Sequence, residues 1–237
     1  MLSQNAKRYL FPLLFAIIFP FFLTWCYFIL GRDNSVLARI GFISGKSIQF
    51  LFPLIWSVLV FRVPVRLHPF NRRGFLEGGI FGLLVLILIL SGFLFARASG
   101  LSIPFDLLKT ELGARLQSFG LLNPAAYLLV LVFYSTCHSG LEEYYWRWFV
   151  FRNLEKILSP AGAVLVSSFG FTLHHILLLG NYFGFQHTLT WICVLGVFIG
   201  GVYWSTLYRR TDSIWGCWIS HGLIDAAIFA VGYLVLF

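Results

Sequence analysis

Ionisable side chains inside long apolar runs are costly and usually functional, and in this sequence they are few and grouped. One run carries His138, Glu142, Glu143 and Arg147, a second carries His174 and His175, and a third carries His221 and Asp225. Residues four apart share a helix face. That rule pairs His138 with Glu142, Glu143 with Arg147, Phe171 with His175, and His221 with Asp225. Adjacent Glu142 and Glu143 stand about 100° apart around a helix, so they are expected to face different surroundings. The economical assignment makes Glu143 and Arg147 a neutralised structural pair and leaves Glu142 free to face a cavity. Asp225 would hold one nitrogen of His221 and turn the other toward chemistry. A carboxylate and two imidazoles from three helices make a water-activating constellation. It could act as a metal-free general-base site or hold zinc on Glu142, His175 and His221. His138 and His174 are expected to support it from nearby. Other uses stay open: such groups also build transporter proton relays, and a lone membrane histidine often only ties helix to helix.

The elements that position these residues are read from composition. The chain has 237 residues, 59% of them apolar and 11% charged, whereas soluble domains run near 25% charged. The fold class is therefore all-α, a polytopic transmembrane helical bundle. Runs near 9–30, 42–61, 75–95, 125–149, 161–180, 189–208 and 214–236 are each long enough to cross about 30 Å of hydrocarbon. Turn signals separate several of them: Gly31-Arg32-Asp33-Asn34, His68-Pro69-Phe70-Asn71, Asn123-Pro124, Ser159-Pro160 and Thr211-Asp212-Ser213. Between spans three and four, Leu107, Leu108, Leu112 and Leu116 recur at helical spacing, which predicts an interfacial amphipathic helix within 103–119. If spans four and five form a hairpin at Ser159-Pro160, Glu142 and His175 are nearly equidistant from the turn and reach similar depth. No linker or repeat divides the chain. It reads as one integral-membrane domain over 1–237.

Seventeen basic residues against nine acidic ones give a net charge of +8 with histidine neutral. In a membrane chain this points to cytoplasmic loops and anionic head groups, not to nucleic acid. Lys7, Arg8, Arg62, Arg66, Arg72, Arg73, Arg147, Arg152, Lys156, Arg209 and Arg210 fall on one side, against Arg32, Arg39, Arg97, Lys109 and Arg115 on the other. The N-terminus is thus expected in the cytoplasm and the C-terminus on the opposite side. Cys26, Cys137, Cys193 and Cys217 lack metal or redox spacing and are expected to be small core residues. Lone His68 and His187 are expected at the surface. Gly78-x-x-x-Gly82 and Gly196-x-x-x-Gly200 suit close helix packing. No HExxH, GxSG or GxGxxG occurs, and Gly45-Lys46-Ser47 lacks the first glycine of a P-loop, where Ile40 stands.

Taken in order, the polar motifs resemble a known family. Glu142-Glu143-Tyr144-Tyr145-Trp146-Arg147 matches EExxxR, Phe171-Thr172-Leu173-His174-His175 matches FxxxH, and His221-Gly222-Leu223-Ile224-Asp225 matches HxxxN/D. Across about 125–236 the chain is similar to CPBP intramembrane proteases, which include type II CAAX prenyl endopeptidases and bacteriocin-processing or immunity proteins. The resemblance implies peptide-bond hydrolysis in a membrane-anchored or lipid-proximal substrate. Glu142 would activate water, His175 would help to position it, and His221 with Asp225 would stabilise the oxyanion or orient the site. It implies no obligatory cofactor, zinc being the alternative. The prenyl-protease branch ends its last motif in Asn where Asp225 stands here, which bears on prenylated substrates more than on proteolysis. The competing readings are a non-catalytic scaffold or immunity factor of the same family and a proton-coupled transporter.

Overall fold

The computed structural model describes residues 4–31, 35–63, 69–101 and 103–237. Arg32, Asp33 and Asn34 of the first turn, and Arg66 and His68 before the third span, lie outside the described residues. The described residues form helices and no strands. Seven helices are long and apolar enough to cross a membrane: α1 (Arg8–Leu30), α2 (Arg39–Phe61), α3 (Arg72–Ser99), α5 (Pro124–Leu154), α6 (Pro160–Phe183), α7 (Thr188–Thr211) and α8 (Trp215–Leu236). The shorter α4 (Phe105–Ser118) lies between α3 and α5.

The expected turn chemistry sets several helix starts. Asn71, Asn123 and Ser159 each accept a hydrogen bond from the backbone N–H three residues on, at 2.8, 2.8 and 3.2 Å, satisfying a donor the helix leaves open. Pro124 and Pro160 follow two of these caps, where a missing N–H costs nothing. His187, expected as a plain surface residue, instead caps α7, its Nδ1 accepting from Leu189 N–H at 3.1 Å. On the outer faces apolar side chains stand exposed at four-residue spacing, as with Ile80, Leu84 and Leu88 on α3. Such a surface suits lipid and would be an aggregation liability in water.

Backbone approach fixes the position of α8. Gly78 lies against Gly216, and a Cβ on Gly82 would come within 2.8 Å of Ser220 Cα, so α3 and α8 pack nearly bare. The second glycine pair behaves differently. Gly196 faces open space, and the tight contact of α7 with α6 is made by Gly201 against Ser168. Spacing alone cannot tell which glycines meet a neighbour. The cysteines are all free, yet only Cys217 is buried and Cys137 is exposed, so the expected core role holds for Cys217 alone.

At one end of the bundle, where α1, α3, α6 and α8 begin, ion pairs join the helices: Arg73 and Arg210 to Glu77, Arg209 to Glu155, and Arg152 to Asp212. Arg8 donates to the Val60 carbonyl at the same end. Helix α4 lies across the other end. Its Leu108 and Leu116 are buried and Leu112 approaches Gly232, while Leu107 is exposed. Arg115 donates to the Tyr27 and Phe28 carbonyls at 3.4 and 3.3 Å, and Asn181 of α6 donates to Glu111 at 3.4 Å.

Helix α5 is the centre of the core and is not regular. Tyr134–His138 and Tyr144–Phe151 are wound as wide π turns, which recur at functional sites. Tyr145, Trp146, Phe149, Val150 and Phe151 are almost completely buried against its neighbours, and the Tyr145 hydroxyl donates to the Ala16 carbonyl of α1 at 2.7 Å.

Candidate active site

Between the two wide segments of α5 lies the short stretch that holds Glu142 and Glu143, both buried. Glu142 has no direct hydrogen-bond partner from the motif residues. Nitrogens ring it instead: His138 Nε2 at 3.8 Å, Lys46 Nζ at 3.9 Å and His174 Nε2 at 3.9 Å from Oε1, with His221 Nε2 at 3.8 Å from Oε2. These separations exceed a hydrogen bond and are the kind a water bridges.

Glu143 is gripped tightly. Its Oε1 accepts from Arg147 Nη1 at 3.0 Å and pairs with His221 Nδ1 at 2.8 Å, and Glu143 and Arg147 are fully buried. The Arg147 guanidinium lies between the Phe171 and Trp204 rings, 5.0 Å from each centroid. Trp204 also stacks on His221, with centroids 4.5 Å apart, and donates Nε1–H to Ser220 Oγ at 3.0 Å. The Glu143–Arg147 pair is present as the spacing predicts, and it has a further member in His221.

Two geometric expectations are corrected. The adjacent glutamates do share a neighbour, because the two nitrogens of His221 present opposite edges of one ring to them. Asp225 does not hold the orienting nitrogen of His221. Its Oδ1 lies 3.7 Å from Nε2, the atom that also faces Glu142, while Glu143 has Nδ1. Helical spacing brought Asp225 to the right histidine but could not say which edge a carboxylate from another helix would take.

On α6, His175 Nδ1 lies 2.8 Å from the Phe171 carbonyl. A carbonyl only accepts, so Nδ1 carries the proton and the Nε2 lone pair is free. His174 is buried and stacks parallel to Trp146, its Nδ1 without a partner in the chain. The group closest to a metal-ligand arrangement is Glu142, His174 and His175, whose ligand atoms lie within 4.8 Å of one another. It contains His174 where His221 was expected, since His221 is committed to Glu143 on one edge. The donor types suit zinc, and the His175–Phe171 bond is the outer contact that fixes a ligating imidazole. Tetrahedral zinc with bonds near 2.0–2.1 Å sets ligand atoms about 3.4 Å apart, closer than the 3.9 Å between Glu142 and His174.

Two contributors were missed by sequence reasoning. Lys46 reaches Glu142 from α2; its only signal was a lysine inside an apolar run. Trp204 comes from α7, a span free of ionisable midspan groups, and an aromatic there is indistinguishable from packing.

With this geometry in view, the family comparison is decisive. Residues 124–227 match the family model described as type II CAAX prenyl endopeptidase Rce1-like. Through that segment the chain belongs to the CPBP intramembrane protease family. The match opens on the first residue of α5 and closes just beyond Asp225, so it holds the three polar motifs and leaves Lys46 outside. Neither a curated protein nor a solved structure matches the chain. Membership in the CPBP family and seven apolar spans make this an integral, multi-pass membrane protein of the intramembrane CAAX-type protease class.

Proposed function

We propose that the protein is an endopeptidase that hydrolyses a peptide bond in a membrane-anchored or lipid-proximal substrate, with Glu142 as general base. The observation that carries this reading is the spacing around Glu142: a buried carboxylate ringed by nitrogens at 3.8–3.9 Å, room for a water and not for direct bonds. Water held between Glu142 and the imidazoles gives its proton to Glu142 as it attacks the scissile carbonyl. His221, fixed on its far edge by Glu143, turns Nε2 toward the oxygen that gains charge, and His175 helps to position the water. Collapse of the tetrahedral adduct breaks the C–N bond, and the proton on Glu142 passes to the leaving amine. Glu143, Arg147 and Trp204 position His221, and Asp225 supports its Nε2 side.

The whole chain works as one membrane unit in this reading, with the N-terminus cytoplasmic. In support, arginines 8, 73, 152, 209 and 210 cluster at the end of the bundle where α1 begins. A second reading places zinc on Glu142, His174 and His175, favoured by the approach of their ligand atoms; the metal would supply Lewis acidity to water and carbonyl.

The test is cleavage of a membrane-embedded peptide by purified protein, with and without a strong chelator. Glu142→Gln, His175→Ala and His221→Ala should each lower turnover by roughly 10²–10⁴-fold while the fold survives. Full activity in Glu142→Gln would refute the assignment. Chelator-sensitive activity restored by zinc would select the second reading, and a folded wild-type protein that cleaves nothing, with no terminus changed in cells, would favour a scaffold.

A further inference from the structure

Lys46 lies outside the matched family segment, yet it comes within 3.9 Å of Glu142. Exposure around the site is graded. The Lys46 side chain is 21% exposed, Asp225 16% and His138 13%, against 6% for His174 and 5% for His221. The open side of the site therefore faces α2, with Lys46 at its rim. Three residues on, along the same helix face, Gln49 is fully buried, and neither its Oε1 nor its Nε2 has a hydrogen-bond partner in the chain. Buried polar groups are nearly always matched. A carboxamide left bare at both ends suits a group that is matched only when a ligand arrives.

The two side chains define that ligand chemically. An ammonium and a carboxamide N–H are donors for a carboxylate, and the carboxamide oxygen left over accepts a peptide N–H. We propose that Lys46 and Gln49 form the subsite for the free α-carboxylate of a substrate cleaved one to three residues from its C-terminus. This inference rests on the proteolytic reading above. A carboxylate bound about 2.8 Å from Nζ lies within about 7 Å of Glu142, and Gln49 is about 4.5 Å farther along α2. Extended peptide covers about 3.3–3.6 Å per residue, so a short leaving peptide spans the gap. Water adds across the scissile C–N bond, and the leaving peptide departs with a new amine and its original carboxylate. An internal bond of a long chain would bring no anion to Lys46.

Full-length protein in neutral detergent tests this with two peptides that differ only in a free-acid or amidated C-terminus. Wild type should favour the acid by about 10–100-fold in kcat/KM, chiefly through KM. Lys46→Met should bring the ratio to about one, Lys46→Arg should preserve it, and Gln49→Leu should lower it, reading the same subsite independently. Cleavage of both peptides by wild type without preference overturns the proposal and leaves the proteolytic reading standing. So does a Lys46→Met protein that keeps the preference or slows both substrates equally, which would make Lys46 a counter-ion of Glu142 alone. Failure of folded wild type to cleave either peptide overturns both.

Discussion

Replacing Glu143 by Gln separates the tightly bound carboxylate from its loosely surrounded neighbour. The carboxamide keeps the size and one accepting oxygen but loses the charge that serves Arg147 at 3.0 Å and His221 at 2.8 Å. Arg147 is then stranded, fully buried, between Phe171 and Trp204. Breaking a buried pair by neutralising one member costs about 3–5 kcal/mol. A bond count gives a similar figure: losing one charge-assisted bond costs roughly 1.5–3 kcal/mol, and weakening a second adds about 1. For a chain of this size about 4 kcal/mol corresponds to roughly 8–16 °C in Tm. Glu142→Gln removes no direct bond and relieves a buried charge, so it should melt close to wild type. Thermal melts of the detergent-solubilised variants measure both. Adding Arg147→Met to Glu143→Gln should recover part of the loss, because an apolar replacement of the whole pair leaves no uncompensated charge. A Glu143→Gln protein as stable as wild type, beside a Glu142→Gln protein that unfolds, would reverse the two roles.

Asp225→Asn should reduce turnover much less than His221→Ala, since Glu143 and Trp204 still hold the ring; equal losses in a cleavage assay would show that the Asp225 charge is itself required. Gly82→Leu should abolish accumulation in the membrane fraction, because its side chain would have to enter the Ser220 backbone, whereas Gly196→Leu, facing open space, should accumulate normally. A reporter fused after Phe237 should lie outside the cytoplasm and a cysteine near Asn71 inside it; identical labelling of the two positions would refute the seven-span arrangement.

Much of the architecture was legible because membrane helices announce themselves by apolar length, and Asn71, Asn123 and Ser159 mark helix starts by their own hydrogen bonding. The three polar clusters, and the pairing of Glu143 with Arg147, followed from cost and spacing. What escaped was relational. A regular 100° step separated Glu142 from Glu143 but said nothing of a third helix presenting one ring between them. Asp225 was assigned to His221 by position on α8, while the orienting bond came from α5 across 78 residues of sequence. Lys46 read as a weak point in span two, and Trp204 as ordinary packing, because neither shows its partner within its own helix.

The wide turns of α5 carry a consequence for how this site could be lost. A π turn amounts to one residue more than the regular coil needs. Removing any single residue from Tyr134–His138 would let that stretch relax to ordinary winding, at little cost to hydropathy or span length. Everything beyond it would rotate by about 100° and shift by about 1.5 Å relative to the start of α5. Glu142 and Glu143 would then leave His221 together, with every motif residue still present in the sequence. In descendants of such a deletion the motif survives while the register that gave it meaning is gone, so inactive relatives are to be sought by gaps upstream of the glutamates as much as by substitutions at them.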